Sequence, residues 1–418
     1  MIRRAVVTGI GVVAPSGTST DEHWATISAG ESRLGPVSLF DASSYRTTIA
    51  GEVKGFSVEG KVDGRLLVQT DRWTHMGFQA AEQALADSSL DLSTVDPYAV
   101  SVVMASSSGG NQFGQRELQR LWSQPSRTVG AYQSIAWFYA ATVGQLSIRH
   151  QAKGPNNVLV SESAGGLDSL AHAARSINRG VSVVLAGGIE APLSPYALSC
   201  QLRTGWLSPR TDPRRAYLPF DTDAAGYVPG EGGVVFVVED LEHALGRAAP
   251  TIYGEITGWG ATHDGERAVN GLVGSPHQYA RAMRLALERG ETEPGDVHMV
   301  IPDALGVPGP DLVEATAINE VFGAKGVPVT SHKALTGRLY QGGAALDVTT
   351  GLLAMREQVI PGTAGPRRPA KGCELNFAQQ TRASTVDSVM VGARGFGGYN
   401  SAVLLRRYAN ETAVVTGG

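Results

Sequence analysis

Short runs of β-branched and apolar residues, each bounded by Gly or Pro, recur along the chain and constrain its fold more than any other feature. Such runs are typical of strands buried on both faces of a sheet. The predicted strands cover residues 5–10, 100–105, 158–161, 181–186, 234–239, 252–257, 299–301, 389–391 and 403–405. Helical stretches lie between them at residues 73–86, 166–177, 276–289, 312–322 and 344–355. This alternation predicts an α/β fold with largely buried mixed sheets.

One pattern occurs twice: a stretch rich in small and apolar residues that ends in a Gly turn. It reads AVVTGIGVVAPSG at 5–17 and IYGEITGWGATHDG at 252–265. This echo predicts a duplicated fold, with an N-terminal half at 1–250 and a C-terminal half at 251–408. Residues 409–418 lack periodic apolar positions, so we expect them to form a loose tail.

Composition excludes several classes of protein. The 418 residues are 42% hydrophobic, which is enough for a large core, and the net charge of -4 gives no broad attraction to nucleic acid or anionic membranes. No run approaches the ~20 apolar residues of a membrane helix. The two cysteines, Cys200 and Cys373, form neither a disulfide framework nor a metal-ligand pattern, and no His-x3-His spacing occurs. We therefore expect a cytoplasmic protein without a metal site.

The most informative segment is GPNNVLVSESAGGLDSLAHAARSI at 154–177, which reads as a turn, a buried strand, a small-residue elbow and a helix. The elbow places Ser163 at the start of the helix. Unpaired N–H groups and the positive end of the helix dipole stabilise a thiolate or an oxyanion at such a position. Serine also commonly caps helices, so the pattern leaves a reactive group and a structural cap as alternatives.

This elbow resembles that of the β-ketoacyl synthases of the thiolase fold, whose acyl-accepting Cys stands where this chain has Ser163. The Gly-Leu-Asp that follows in many members is present as Gly166, Leu167 and Asp168. PFDTDAAGYVPGEGGVVFVVED at 219–240 and GFGGYNSAVLL at 395–405 also resemble family motifs, and the likeness runs from Arg3 to Arg407. The resemblance implies a thiolase-like duplicated fold, layered α-β-α-β-α, with two mixed sheets.

The resemblance also locates the two histidines that complete the family's site. The pattern His-Gly-Thr-Gly-Thr-Pro corresponds here to DALGVP, with Asp303 in the histidine position and Glu314 retained as the later acidic residue. The pattern Lys-x-x-x-Gly-His corresponds to KALTGR, with Lys333 retained and Arg338 in the histidine position. Because these two positions converge in the family, their opposite charges predict a buried ion pair that closes the old site.

Condensation needs a thiol that carries an acyl group and neutral imidazoles that stabilise an enolate. A serine hydroxyl needs a positioned base, an aspartate repels the enolate, and an arginine takes up no proton near neutral pH. The degenerate positions Ser163, Asp303 and Arg338 therefore predict a catalytically silent chain. His332 is the histidine nearest to them in sequence, and we expect it to be a packed or surface residue.

The chain keeps the family's motifs but lacks its catalytic groups. In this it resembles the chain-length factors, also called ketosynthase beta subunits, of type II aromatic polyketide synthases. GQRELQRLW, SIAWFYAATVGQLSIRH and TGRLYQGGAALD resemble that subgroup, although its usual glutamine is replaced by Ser163. The resemblance implies a heterodimer with a catalytic ketosynthase alpha subunit. It also implies a growing polyketide chain presented on the phosphopantetheine of an acyl carrier protein, and no cofactor of the chain's own.

Two further sets of residues follow from this resemblance. Ile135, Trp137, Phe138 and Tyr139 form an apolar cluster that is either core or subunit interface. Asn111, Gly114 and Leu118 share one helix face and, with Tyr196, match the positions that limit pocket depth in the subgroup. None of the first three is aromatic, which predicts a deep pocket and a long polyketide; Gly114 is alternatively a helix-start glycine.

Three other functions stay open at this point. Ser163 could be the nucleophile of an active acyltransferase or hydrolase if a base lay within hydrogen-bond reach. The chain could be a homodimeric ketosynthase with unconventional catalytic groups. It could also be a homodimeric scaffold without a Cys-bearing partner.

Overall fold

The structure, a computed structural model, describes residues 3–60, 62–125, 127–265 and 274–409. Of the predicted loose tail, residues 410–418 lie outside the described residues. The strands are β1 (Ala5–Val13), β2 (Gly35–Pro36), β3 (Ile49–Ala50), β4 (Val100–Ala105), β5 (Asn157–Leu159), β6 (Val183–Glu190), β7 (Gly232–Asp240), β8 (Gly254–His263), β9 (Met299–Ile301), β10 (Pro328–Val329), β11 (Val359–Ile360), β12 (Asn376–Phe377), β13 (Arg382–Ala383), β14 (Ser388–Gly395) and β15 (Tyr399–Arg406).

The helices alternate with these strands as the sequence pattern predicts. They are α1 (Thr20–Ala29), α2 (Gly64–Gln69), α3 (Arg72–Ser88), α4 (Asn111–Ser123), α5 (Gln133–Ala136), α6 (Ala141–Arg149), α7 (Gly165–Asn178), α8 (Pro195–Leu202), α9 (Leu241–Gly246), α10 (Pro276–Arg289), α11 (Pro308–Phe322), α12 (Lys333–Thr336) and α13 (Gln341–Glu357). Every predicted strand and helix is present, which confirms the α/β fold class.

The strand order repeats between the two halves of the chain. The first half reads β1-β7-β6-β4-β5 and the second reads β8-β15-β14-β9-β10, each with two antiparallel pairings followed by two parallel ones. The prediction of two mixed sheets needs one correction. Strands β1 and β8 pair through Val6–Glu255 and Val7–Gly254, so the halves join into one eleven-stranded sheet. The exact domain boundary near residue 250 stays a prediction.

Helices and strands stack in five layers. Helices α7 and α13 contact strands of both halves and form the middle layer, while α3 and α6 cover the outer face of the first half and α10 and α11 that of the second. Helix α13 is buried continuously from Gln341 to Met355, as expected for a helix that is apolar on all sides. Because α7 begins two residues after Ser163, the middle layer fixes the position of the candidate site.

Candidate functional site

Ser163 lies in a tight turn, Glu162–Ala164, between β5 and α7. Glu162 enters this turn with a φ of 49°, a left-handed conformation that is strained for a side chain other than glycine. The Ser163 side chain is buried, and its Oγ has no hydrogen-bond partner among the described residues. No side chain caps the N-terminus of α7. The interpretation of Ser163 as a helix cap is therefore wrong, and no base contacts its hydroxyl in the described ranges.

Asp303 and Arg338 form the predicted ion pair. Arg338 donates from Nη1 to Oδ2 of Asp303 over 3.0 Å and from Nη2 to Oδ1 over 3.1 Å, in a bidentate arrangement. Nη2 also donates to the carbonyl oxygen of Arg394 over 2.9 Å. Burial disfavours the charged guanidinium, but the Asp303 carboxylate outweighs it and raises the pKa of Arg338 well above its ordinary value. Arg338 therefore stays a cation, and both of its terminal nitrogens are engaged.

The retained acidic residue Glu314 holds the loop that carries Asp303. Its carboxylate accepts the backbone N–H groups of Asp303 and Ala304 over 2.7 and 2.8 Å, and the Tyr279 hydroxyl over 3.1 Å. Burial and then the nearby Asp303 charge raise the pKa of Glu314 to about 7. Glu314 therefore has a structural role in this chain, because it bonds to the backbone of the loop. That role does not depend on which side chain stands at position 303.

The retained Lys333 pairs with the buried Asp347 of α13 and donates to the carbonyl oxygen of Pro302 over 3.2 Å. Burial raises the pKa of Asp347 to about 6, and the Lys333 ammonium opposes that rise. The bond to Pro302 ties the start of α12 to the residue before Asp303. Lys333 therefore fixes the spacing between the two former histidine positions.

A cavity of about 340 Å³ opens in front of the ion pair. Asp303, Glu314 and Arg338 line it, together with Glu162, whereas Ser163 does not. Its aromatic walls were missed by the sequence reasoning and comprise Trp206, Tyr227, Tyr340 and Phe396. The only signal for three of them was their place inside family-like motifs: Tyr227 in PFDTDAAGYVPGEGGVVFVVED, Tyr340 in TGRLYQGGAALD and Phe396 in GFGGYNSAVLL.

The predicted pocket-limiting residues divide into two groups. Asn111 and Tyr196 line the cavity, but Gly114 and Leu118 do not. Gly114 lies under Trp137, whose Cδ1 would be 2.7 Å from a Cβ atom added to the glycine. Leu118 is 42% exposed on the same helix, α4. The close approach of Trp137 gives Gly114 a packing role, and only Asn111 of the three α4 residues faces the cavity.

The predicted interface residues are all exposed. Ile135, Trp137, Phe138 and Tyr139 lie between 37% and 53% exposed, in and just after the short helix α5. Trp122 at the end of α4 and Val160 just after β5 are further large apolar residues that are exposed. The alternative of core burial is therefore wrong. Strand β5 is the last strand at its edge of the sheet in the described ranges, so Val160 lies next to an unpaired strand edge.

His332 is packed, as expected for a residue outside the site. It is buried, its Nε2 lies 3.2 Å from the Thr330 hydroxyl, and burial lowers its pKa to about 3, with contributions from His23 and Lys333. It does not line the cavity. Within the described ranges, no group of three His, Cys, Asp or Glu side chains could hold a metal ion, and no helix is long and apolar enough to cross a membrane.

Comparisons with known proteins agree on one family. Residues 3–244 match the β-ketoacyl synthase N-terminal domain and residues 253–366 match the C-terminal domain. The tetracenomycin polyketide synthase ketoacyl synthase beta subunit of Streptomyces glaucescens is 49% identical over 96% of this chain and 98% of that protein.

Solved structures show the same architecture. The ishigamide ketosynthase/chain length factor superposes with a TM-score of 0.91 at 25% identity, covering 98% of this chain and 100% of that one. A β-ketoacyl synthase from Burkholderia phymatum gives a TM-score of 0.90 at 27% identity, over 97% and 100% of the two chains.

Proposed function

The chain belongs to the β-ketoacyl synthase family, among the beta subunits of type II polyketide synthases, and we propose that it is the non-catalytic, chain-length-determining subunit of a heterodimeric ketosynthase. The observation that carries this proposal is the buried, bidentate Asp303–Arg338 pair at the two histidine positions. Both terminal nitrogens of Arg338 and both oxygens of Asp303 are engaged in this pair, so neither residue replaces the neutral imidazole that polarises a malonyl thioester or stabilises an enolate.

The acyl-accepting position supports the same conclusion. Acyl transfer to a serine needs a base that removes the hydroxyl proton as the thioester is attacked. Ser163 has no such contact among the described residues and does not line the cavity. The alternative of an active acyltransferase that uses Ser163 is therefore disfavoured.

Two features support pairing with a homologous catalytic alpha subunit: the exposed aromatic cluster and the open edge of strand β5. In this proposal the alpha subunit supplies the catalytic cysteine and histidines. The acyl carrier protein presents the growing polyketide on phosphopantetheine, so the chain needs no cofactor of its own. Cys200 and Cys373 are both free thiols, which fits the proposed cytoplasmic location.

The proposal is tested by assaying the chain alone and together with its catalytic subunit. With malonyl-carrier protein, we expect polyketide by mass spectrometry only from the pair. Replacing Ser163 with alanine should leave the turnover of the pair within about twofold of wild type, because the hydroxyl has no catalytic contact. Acylation of Ser163, or turnover by the chain alone, would contradict the proposal.

A chain-length role further predicts that the cavity wall controls product size. Replacing Asn111 with phenylalanine adds bulk to the wall of the 340 Å³ cavity, so the main product should become shorter by at least one extender unit. Leu118→Phe is the matched control, because the same ring is added on α4 outside the cavity. Product mass from the reconstituted pair is the measurement. If both variants gave products of the same length, the cavity wall at Asn111 would not control product size.

A further inference from the structure

A second pocket, of about 310 Å³, lies apart from the site and shares no lining residue with it. One wall is a face of α7 formed by Asp168, Ala171 and Arg175. The opposite walls are Trp259–Ala261 of β8 with Ser401 and Ala402 of β15, and the residues that end β5 and follow it, 159–161. The pocket therefore opens beside the last strand at this edge of the sheet.

Arg175 is the unusual residue of this pocket. Its guanidinium is half-buried and makes no hydrogen bond or ion pair with the described residues. The carboxylate on the same helix face does not satisfy it, since the two oxygens of Asp168 accept the hydroxyls of Ser161 and Ser401 over 2.5 Å each. No nitrogen of Arg175 is fully buried without a partner, so its donors are accessible to a group from outside the chain.

The surroundings add positive charge. Arg179 follows the last residue of α7, one turn beyond Arg175. Arg289 packs over the Trp259 ring with its guanidinium carbon 5.8 Å from the ring centre. Burial lowers the pKa of Arg175; Asp168 opposes that shift, while Arg289 and Arg179 add to it. The pocket thus offers a donor fork in a positive environment, which fits a single carboxylate.

We infer that this pocket receives an aspartate or glutamate side chain of the catalytic partner subunit, which pairs with Arg175 across the interface. The inference rests on the proposed heterodimer. A partner strand that pairs with β5 would direct alternate side chains to each face of the sheet, past the ends of β5. Val160, half-exposed just after β5, adds apolar surface at that edge. The partner carboxylate would supply the hydrogen-bond acceptor that Arg175 lacks among the described residues of its own chain.

The test compares Arg175→Met with Arg179→Met, a matched loss of one charge just past the end of α7 and outside the pocket lining. With the catalytic subunit as the probe, Arg175→Met should weaken subunit affinity about tenfold or more, and Arg179→Met should change it less than about twofold. In the isolated chain, Arg175→Met should melt no lower than wild type, because no bond within the chain is lost. Sedimentation and thermal melting measure the two effects.

Several results would overturn the inference. They are equal pairing by Arg175→Met and wild type, a lowered melting temperature of the isolated variant, and weaker binding of carrier protein with intact subunit pairing. The last result would assign the pocket to the anionic carrier protein. Failure of the wild-type chain to pair with the catalytic subunit at all would instead overturn the proposed function, and this inference with it.

Discussion

Replacing Arg338 with methionine should lower the free energy of unfolding by about 3–5 kcal/mol. Methionine keeps much of the arginine's volume but removes every donor, so the Asp303 carboxylate stays buried at 3% exposure without its cation. The neighbouring Glu314 makes that loss worse, because its carboxylate on α11 accepts the N–H of Asp303 and so lies beside the uncompensated charge. Chemical denaturation followed by tryptophan fluorescence measures the change.

Two matched variants separate this effect from the loss of any ion pair. Arg407→Met breaks an exposed pair with Asp387, of 3.4 Å, and should cost under about 1 kcal/mol. The double variant Arg338→Met with Asp303→Leu removes both buried charges and should recover much of the stability. If Arg338→Met lowered the free energy of unfolding by less than about 1 kcal/mol, the Asp303–Arg338 pair would not stabilise this part of the fold.

Secondary structure was predictable where a β-branched or amphipathic run begins and ends next to Gly or Pro. The bounds of β4, β9 and α10 agree with the prediction residue for residue. Strand β8 was cut short at residue 257, because its continuation, GWGATH, is rich in small residues with low strand propensity. Those residues form a strand only because β15 pairs with them along their whole length, a tertiary contact that no local pattern contains.

The candidate site divides in the same way. The positions of Asp303 and Arg338 followed from motif spacing, and their pairing followed from opposite charges at converging positions. The seclusion of Ser163 was not predictable, since it depends on how the strained Glu162 turn packs under the C-terminal loop. There the Glu162 carboxylate accepts the N–H of Phe396 over 2.8 Å, across a sequence separation of 234 residues.

The helix face on α4 shows a third limit. Spacing placed Asn111, Gly114 and Leu118 on one face correctly, but it does not say what covers that face. Trp137 approaches from the segment that leads into α6 and packs against Gly114, which does not line the cavity. Helical periodicity therefore predicts neighbours within an element and leaves the contacts between distant segments to the tertiary fold.

Replacing Phe138 with aspartate should abolish stable pairing with the catalytic subunit. Phe138 is 44% exposed and packs against Tyr139 with ring centres 4.7 Å apart, at the centre of the exposed aromatic cluster. A charge buried there in the complex has no cation to pair with among the four cluster residues, and truncating an aromatic anchor also removes apolar contact area. We expect affinity to fall on the order of 100-fold, as at interface hot spots.

The polyketide output of the reconstituted pair should fall with the population of heterodimer, since the chain acts only through its catalytic partner. Leu245→Asp is the matched control: Leu245 is also 44% exposed but lies on α9, which packs against β1 and β7 instead of the β5 edge. Sedimentation of each variant with the catalytic subunit, at several concentrations, measures pairing. Thermal melting of each isolated variant detects misfolding, and we expect both melting temperatures to equal that of wild type. If Phe138→Asp pairs as tightly as Leu245→Asp, the aromatic cluster is not the subunit interface, and the heterodimer must form through another surface.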